Sequence, residues 1–253
     1  MRSVTPRWLH APVTRGRRRQ FAVRARGLGA EVGVRIWSPA DADVREELPL
    51  LVAHDGPDYD RKARLTRYCA AAIRAGELPR HRVALLAAAR RDEWYSASAV
   101  YARALCGDVL SAVRRAVAVA GAPVGMGASL GALAMLHAQR AHAGSFQALF
   151  LQSGSFFMPR WDSHESGFRR YGRIVRWVRA TVRATAHPDP VPATLTCGAE
   201  EENLPNNRLM AHALAAQGYP AALHEVREKH DYDAWRDAFD PHLTRLLVDA
   251  WAR

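Results

Sequence analysis

Short apolar runs and longer stretches of helical periodicity alternate along most of this chain. Residues 20–26 and 31–37 instead alternate apolar with polar positions, as a half-exposed hairpin at a sheet edge does, and Gly27, Leu28 and Gly29 supply the turn between them. Beyond them the runs at 48–53, 83–88, 123–126, 148–151 and 193–197 become continuously apolar, the pattern of strands buried on both faces. Residues 221–226 add a last short strand. Helical spacing occupies 61–75, 98–120, 130–141, 206–217 and 232–251, with Pro241 predicted to interrupt the last of these. This order predicts an α/β fold with a mostly parallel central sheet of about eight strands and helices on both faces. The segment 155–190 breaks the alternation. It carries Phe156, Phe157, Met158 and Trp161 among polar residues, then a helical pattern from Tyr171 to Val182, and reads as a short cap-like insertion over the active edge of the sheet.

The chain has 253 residues, a length that α/β folds commonly use as one domain, so residues 20–253 are expected to form a single unit behind a flexible basic arm, 1–19. No run approaches the roughly 18 apolar residues of a membrane span, and the N-terminal stretch lacks the apolar segment of a secretory signal. Cys69, Cys106 and Cys197 are odd in number and lack metal-ligand spacing, which fits free thiols and a cytoplasmic protein. A formal charge of +11 raises the question of an anionic partner. Nearly all of that charge is arginine, however, with Lys62 and Lys229 the only lysines, and it is dispersed along an alanine-rich chain. That pattern suggests compositional bias, and no nucleic-acid partner is expected.

The sharpest chemical signal is Gly127-Ala128-Ser129-Leu130-Gly131, a GxSxG pentapeptide between an apolar run and a helical pattern. A sharp strand-to-helix turn that exposes a serine requires very small residues two before and two after it. Ser129 is therefore the candidate nucleophile, and it needs a base held in turn by an acid. Of the eleven histidines, His230 is the one that falls between the last strand and the final helix. The acid is expected after 193–197, where Glu200, Glu201 and Glu202 compete; a Gly-x-x-acid spacing from Gly198 favours Glu201. An oxyanion also requires backbone N–H donors. One is expected from Leu130, and a second from the loop His54-Asp55-Gly56-Pro57-Asp58-Tyr59.

Together, His54-Asp55-Gly56, the GxSxG pentapeptide, Gln152-Ser153-Gly154-Ser155, Arg91 to Tyr95, and His230-Asp231-Tyr232-x-x-Trp235 resemble the putative-esterase family. That family includes enterochelin-esterase-like hydrolases, esterase D, feruloyl esterase domains and mycolyltransferases. The resemblance runs from about Gln20 to the C-terminus. It implies an α/β-hydrolase fold, a Ser-acid-His triad on Ser129, Glu201 or a neighbour, and His230, and hydrolysis of a small-molecule carboxylic ester without metal or other cofactor. It departs at Pro57, which has no N–H where many relatives donate one, so the second donor falls to Gly56, Asp58 or Tyr59. With so short a stretch before the first central strand, the separate N-terminal domain of full enterochelin esterases is not expected within these residues.

His54, Tyr59, Phe156, Phe157 and Trp161 are expected to line the substrate pocket, and Asp231 and Asp233 to begin the final helix. The arginines of the 171–182 helix read as a solvated face, with attraction of an anionic substrate such as a catecholate siderophore as the sharper alternative. An acyltransferase on the same triad, a non-catalytic protein on the same fold, and salt-sensitive nucleic-acid binding are the competing readings.

Overall fold

The computed structural model describes residues 6–227 and 229–252. Eight strands among them form one sheet in the order β1-β2-β4-β3-β5-β6-β7-β8. β1 (Arg17–Arg24) and β2 (Glu31–Ser38) make the edge hairpin, and β2 pairs antiparallel with β4 (Arg82–Ala88). From there the sheet is parallel through β3 (Leu50–Ala53), β5 (Val124–Ala128), β6 (Ala148–Gln152), β7 (Ala193–Gly198) and β8 (Ala221–Val226). β3 and β5 to β7 are buried almost throughout, as their continuous apolar runs require.

Successive side chains of each strand feed two separate cores. Leu50, Val52, Ala84 and Leu86 face one layer, while Leu51, Ala53, Val83 and Leu85 face the other. The first layer holds α4 (Ala99–Ala104), α5 (Leu110–Ala116), α6 (Leu130–Ala141), α7 (Tyr171–Arg183) and α8 (Leu204–Ala216). The second holds α1 (Gly56–Arg61), α2 (Leu65–Ala75), α9 (Tyr232–Asp237) and α10 (Thr244–Trp251). A short α3 (Arg91–Trp94) follows β4 and sets Trp94 into the first core. No helix among the described residues is long and apolar enough to cross a membrane.

Several boundaries differ from the sequence pattern. The 61–75 helix is two helices, because α1 opens at Gly56 with Pro57 in its first turn, where its missing N–H costs nothing. The 98–120 helix is α4 and α5 joined by a wider turn at Leu105–Val109, and it ends at Ala116. Pro241 interrupts the final helix as expected, with Asp240 pushed to φ −109°, ψ 120°. The described part of the expected 1–19 arm is tied down. Trp8 packs edge-on against Tyr68 at 5.3 Å, Arg67 donates to the Leu9 and Ala11 carbonyls, and β1 begins at Arg17 rather than Gln20. The arginine run hid that strand, since ladder bonds are backbone bonds and an edge strand tolerates exposed charge. Met1 to Thr5 lie outside the described residues.

Gly56 sits where α1 of the second layer meets β4: a Cβ there would lie 2.3 Å from Leu85 Cα. Backbone on both sides leaves little room to yield. Gly56→Ala is therefore expected to destabilise the fold by about 1–3 kcal/mol, read as a lower urea midpoint; an unchanged midpoint would show that α1 is free to shift away from β4.

Candidate active site

The strand-to-helix turn at Ser129 is built by exclusion of volume. β5 ends at Ala128, α6 starts at Leu130, and Ser129 between them has φ 56°, ψ −124°, a region that residues with side chains rarely adopt. A Cβ on Gly127 would lie 2.5 Å from the carbonyl of Gly131, so the turn closes only because that position lacks one, while a Cβ on Gly131 would press on His54 Cβ at 3.2 Å. Asp55 after β3 and Ser153 after β6 also have positive φ, 50° and 46°. Three neighbouring strands thus end in strained residues along one edge.

That edge opens into a cavity of about 640 Å³ lined by Ser129, Leu130, Ser155, Phe157, Glu201 and His230 among others. Leu130, at the first position of α6, has an N–H with no carbonyl available from its own helix. The Ser129 hydroxyl lies 2.9 Å from that of Ser155 and shares a hydrogen bond with it; among the described residues no hydrogen bond joins Ser129 to His230.

Glu201, in the loop after β7, is the glutamate that meets the histidine. His230 Nδ1–H donates to its Oε2 at 2.7 Å, while Oε1 accepts from Ser153 Oγ and from Gly198 N, each at 2.7 Å. Burial works to raise this carboxyl, whose side chain is only 5% exposed, but those three hydrogen bonds outweigh it and hold the group below the usual range. Glu202 is 86% exposed and pairs with His164 at 3.3 Å, and Glu200 is exposed. Ser153 Oγ accepts in turn from Trp235 Nε1 at 3.0 Å, and the Trp235 ring stands edge-on to His230 with centroids 5.2 Å apart. Asp231 caps α9 by accepting from the N–H groups of Asp233 and Ala234, so the histidine sits one residue before a fixed helix start.

The expected pocket wall needs correction. Phe157 lines the cavity, but His54, Tyr59 and Phe156 are fully buried and Trp161 lies off it beneath Arg160. Tyr59 donates to Gln152 Oε1 at 2.9 Å within the second core. His54 joins the end of β3 to the elbow: Nδ1–H donates to the Gly131 carbonyl at 2.9 Å and Nε2 accepts from Tyr101 Oη at 2.9 Å. Position at the end of an apolar run suggested a rim residue, and the chain alone does not say that Tyr95 and Tyr101 close over it.

The oxyanion loop also changes. Asp58 N and Tyr59 N both donate to the Asp55 carbonyl, at 2.9 and 3.0 Å, as the first turn of α1. Asp58 and Tyr59 are thereby lost as donors, and the Asp55 N–H is engaged with Tyr95 Oη at 3.4 Å, which leaves the loop the N–H of Gly56. Arg91, which the sequence marked only through its resemblance, clamps Asp55 through bonds of 2.8–3.0 Å and lines the cavity.

The insertion supplies Phe157, Asp162, His164, Glu165 and Phe168 to the cavity. It is latched by Arg170 and Arg173, both paired with Glu93 of α3. The cavity carries Asp92, Asp162, Glu165, Glu200, Glu201 and Glu202 against Arg91 and Lys229. In a chain of net charge +11, the site is acidic.

Residues 25–246 match the family described as Putative esterase. A search of curated proteins finds no sequence match. Among solved structures, an enterobactin esterase from Shigella flexneri aligns with TM-score 0.76 and 20% identity over 99% of this chain and 63% of its own. Ferric enterobactin esterase from Salmonella typhimurium gives 0.77 and 22% over 99% and 62%. A ferulic acid esterase gives 0.75 and 15% over 92% and 97%. At these identities the likeness is one of fold, the α/β-hydrolase fold, and the chain spans about three fifths of the length of the enterobactin esterases.

His54, His81 and His137 are held by burial at pKa values of about 4, although the Gly131 and Pro79 carbonyls partly support the charged form of the first two. Unfolding returns each to about 6.5. Between those values the unfolded chain binds protons that the folded one does not, so stability falls as pH drops from about 6.5 to about 4. Each group contributes up to about 1.4 kcal/mol per pH unit inside that window. Urea midpoints measured from pH 7 to pH 4.5 are expected to decline accordingly; a flat profile would mean that the three rings are accessible to protons in the folded state.

Proposed function

The chain belongs to the putative-esterase family, and from that premise we propose that it hydrolyses carboxylic esters through an acyl-enzyme on Ser129, with His230 as general base and Glu201 as the acid that orients it. One observation carries this reading: a serine on a strained elbow opens into the same cavity as a histidine whose Nδ1–H is held at 2.7 Å by a buried carboxylate. With Nδ1 protonated and bound to Glu201, Nε2 is left as the basic nitrogen.

Ser129 Oγ attacks the ester carbonyl as His230 Nε2 takes its proton. Leu130 N–H receives the developing oxyanion, and of the loop after β3 the Gly56 N–H is the backbone donor left for it. The intermediate collapses with loss of the alcohol, which takes the proton back from His230. A water activated by the same imidazole then attacks the acyl carbonyl and releases the acid.

The acidic lining bears on substrate charge. Arg91 is neutralised by Asp55, and Arg170 just before α7 and Arg173 within it are engaged with Glu93 rather than with the cavity. Phe157 and Phe168 give an apolar wall beside Glu165, Glu200 and Glu202. These features favour esters that are neutral or cationic, and disfavour an anionic catecholate.

Hydrolysis of p-nitrophenyl acetate tests the triad. Ser129→Ala and His230→Ala are expected to lower kcat by 10³-fold or more, and Glu201→Gln by about 10²–10⁴-fold, while Glu200→Gln and Glu202→Gln stay within about twofold. Undiminished turnover by Ser129→Ala, or no labelling of the wild type by a fluorophosphonate, overturns the mechanism. For substrate charge, a quaternary-ammonium ester is expected to exceed a carboxylate-bearing ester of equal length about tenfold in kcat/KM at low salt. The gap closes near 1 M salt, where screening acts within about 3 Å. Equal rates at low salt would remove the charge argument.

A further inference from the structure

The nucleophile's nearest hydroxyl partner belongs to no part of the mechanism just described. Ser155 is 5% exposed, lines the cavity, and places its Oγ 2.9 Å from Ser129 Oγ. Its backbone is fastened to the same elbow, since Ser155 N–H donates to the Ser129 carbonyl at 3.2 Å. The residues before it are gripped by α8 and the loop leading into it: Asn207 Oδ1 accepts from Gly154 N at 2.9 Å, and Asn203 Nδ2 donates to the Ser153 carbonyl at 2.8 Å. Phe156, fully buried, anchors the following position. A hydroxyl held on both sides in this way is preorganised rather than free to wander.

The loop after β3 leaves a role open for it. Pro57 has no N–H, and the N–H groups of Asp58 and Tyr59 are committed to the Asp55 carbonyl. The Asp55 N–H is engaged with Tyr95 Oη at 3.4 Å, and Gly56 lies outside the lining of the cavity. Donors on the oxyanion are therefore fewer than the chemistry wants on that side.

We propose that Ser155 is a further catalytic residue, whose hydroxyl donates a hydrogen bond to the oxyanion formed on Ser129. This rests on Ser129 being the nucleophile. In the free enzyme the two hydroxyls hydrogen-bond to each other. When His230 removes the Ser129 proton and Oγ bonds to the carbonyl carbon, the Ser155 O–H turns by rotation about Cβ–Oγ toward the carbonyl oxygen, which becomes O⁻ about 2.3 Å from Ser129 Oγ by ordinary tetrahedral geometry. No proton is transferred to or from Ser155; it contributes a hydrogen bond that is stronger in the transition state than in the bound ester.

Wild type, Ser155→Ala, Ser155→Gly, Ser155→Thr and Ser129→Ala are compared on p-nitrophenyl acetate and on binding of an aryl trifluoromethyl ketone, which forms a tetrahedral adduct with an active-site serine. Ser155→Ala and Ser155→Gly are expected to lose about 10²-fold in kcat with KM changed less than about threefold. They are also expected to lose affinity for the ketone by a similar factor, with wild-type thermal midpoints; Ser155→Thr, which keeps the hydroxyl, recovers most of kcat. A kcat within twofold of wild type in Ser155→Ala or Ser155→Gly overturns the proposal, as does a loss confined to KM or ketone affinity that does not follow kcat. Wild-type turnover by Ser129→Ala would instead strike the underlying assignment of the nucleophile.

Discussion

The molecule is organised around one steric constraint: a parallel strand in the middle of the sheet must become a helix within a single residue. Gly127 and Gly131 approach so closely that a Cβ on the first would lie 2.5 Å from the carbonyl of the second. The strain falls on Ser129, and neighbouring parts of the fold hold it there. His54 bonds the Gly131 carbonyl from the end of β3, and Gln152 at the end of β6 accepts from Ser129 N at 2.9 Å. Backbone in such a conformation persists only where its surroundings over-determine it. The flanking strands provide that.

A second chain of bonds runs across the sheet edge from the last helical segment to the glutamate loop. Trp235 donates to Ser153, Ser153 to Glu201, and His230 to the other oxygen of the same carboxylate. Each link joins a different loop, after β6, β7 and β8. A buried carboxylate is costly unless its lone pairs are filled, and here both oxygens have partners. The proposed acid is thus also a structural tie: its charge is held on by the bonds that aim the imidazole. The same economy appears on the insertion, where Arg170 and Arg173 close on Glu93 and so fix Phe157 and Phe168 beside the cavity.

Charge is distributed against the average. The +11 balance describes the surface at large, yet among the described residues six carboxylates line the cavity against one arginine and one lysine. A field inside a concave, partly desolvated site is set by its own lining more than by the distant surface, because solvent and salt screen the latter. Net charge is therefore a poor guide to what this cleft admits, and the arginine-rich α7 is a case in point.

What the chain determines alone is what local pattern encodes. Continuous apolar runs, helical spacing and the GxSxG glycines fixed the strand sequence, the parallel core and the place of Ser129, and chain order singled out His230, because these depend on neighbours within a few residues. The three glutamates at 200–202 were separable by spacing only as a preference; the contact that distinguishes Glu201 comes from residues 48 and 29 positions away. The pocket wall differs from its expected membership for the same reason. His54, Tyr59 and Phe156 are aromatic and lie in or beside the segments His54-Asp55-Gly56 and Gln152-Ser153-Gly154-Ser155, but whether a ring faces a cavity or a core depends on which helix packs over it. Ser155 carried no signal beyond its motif until β6 was laid beside β5. Proximity of side chains distant in sequence is created by strand pairing and packing, and only the tertiary structure decides it.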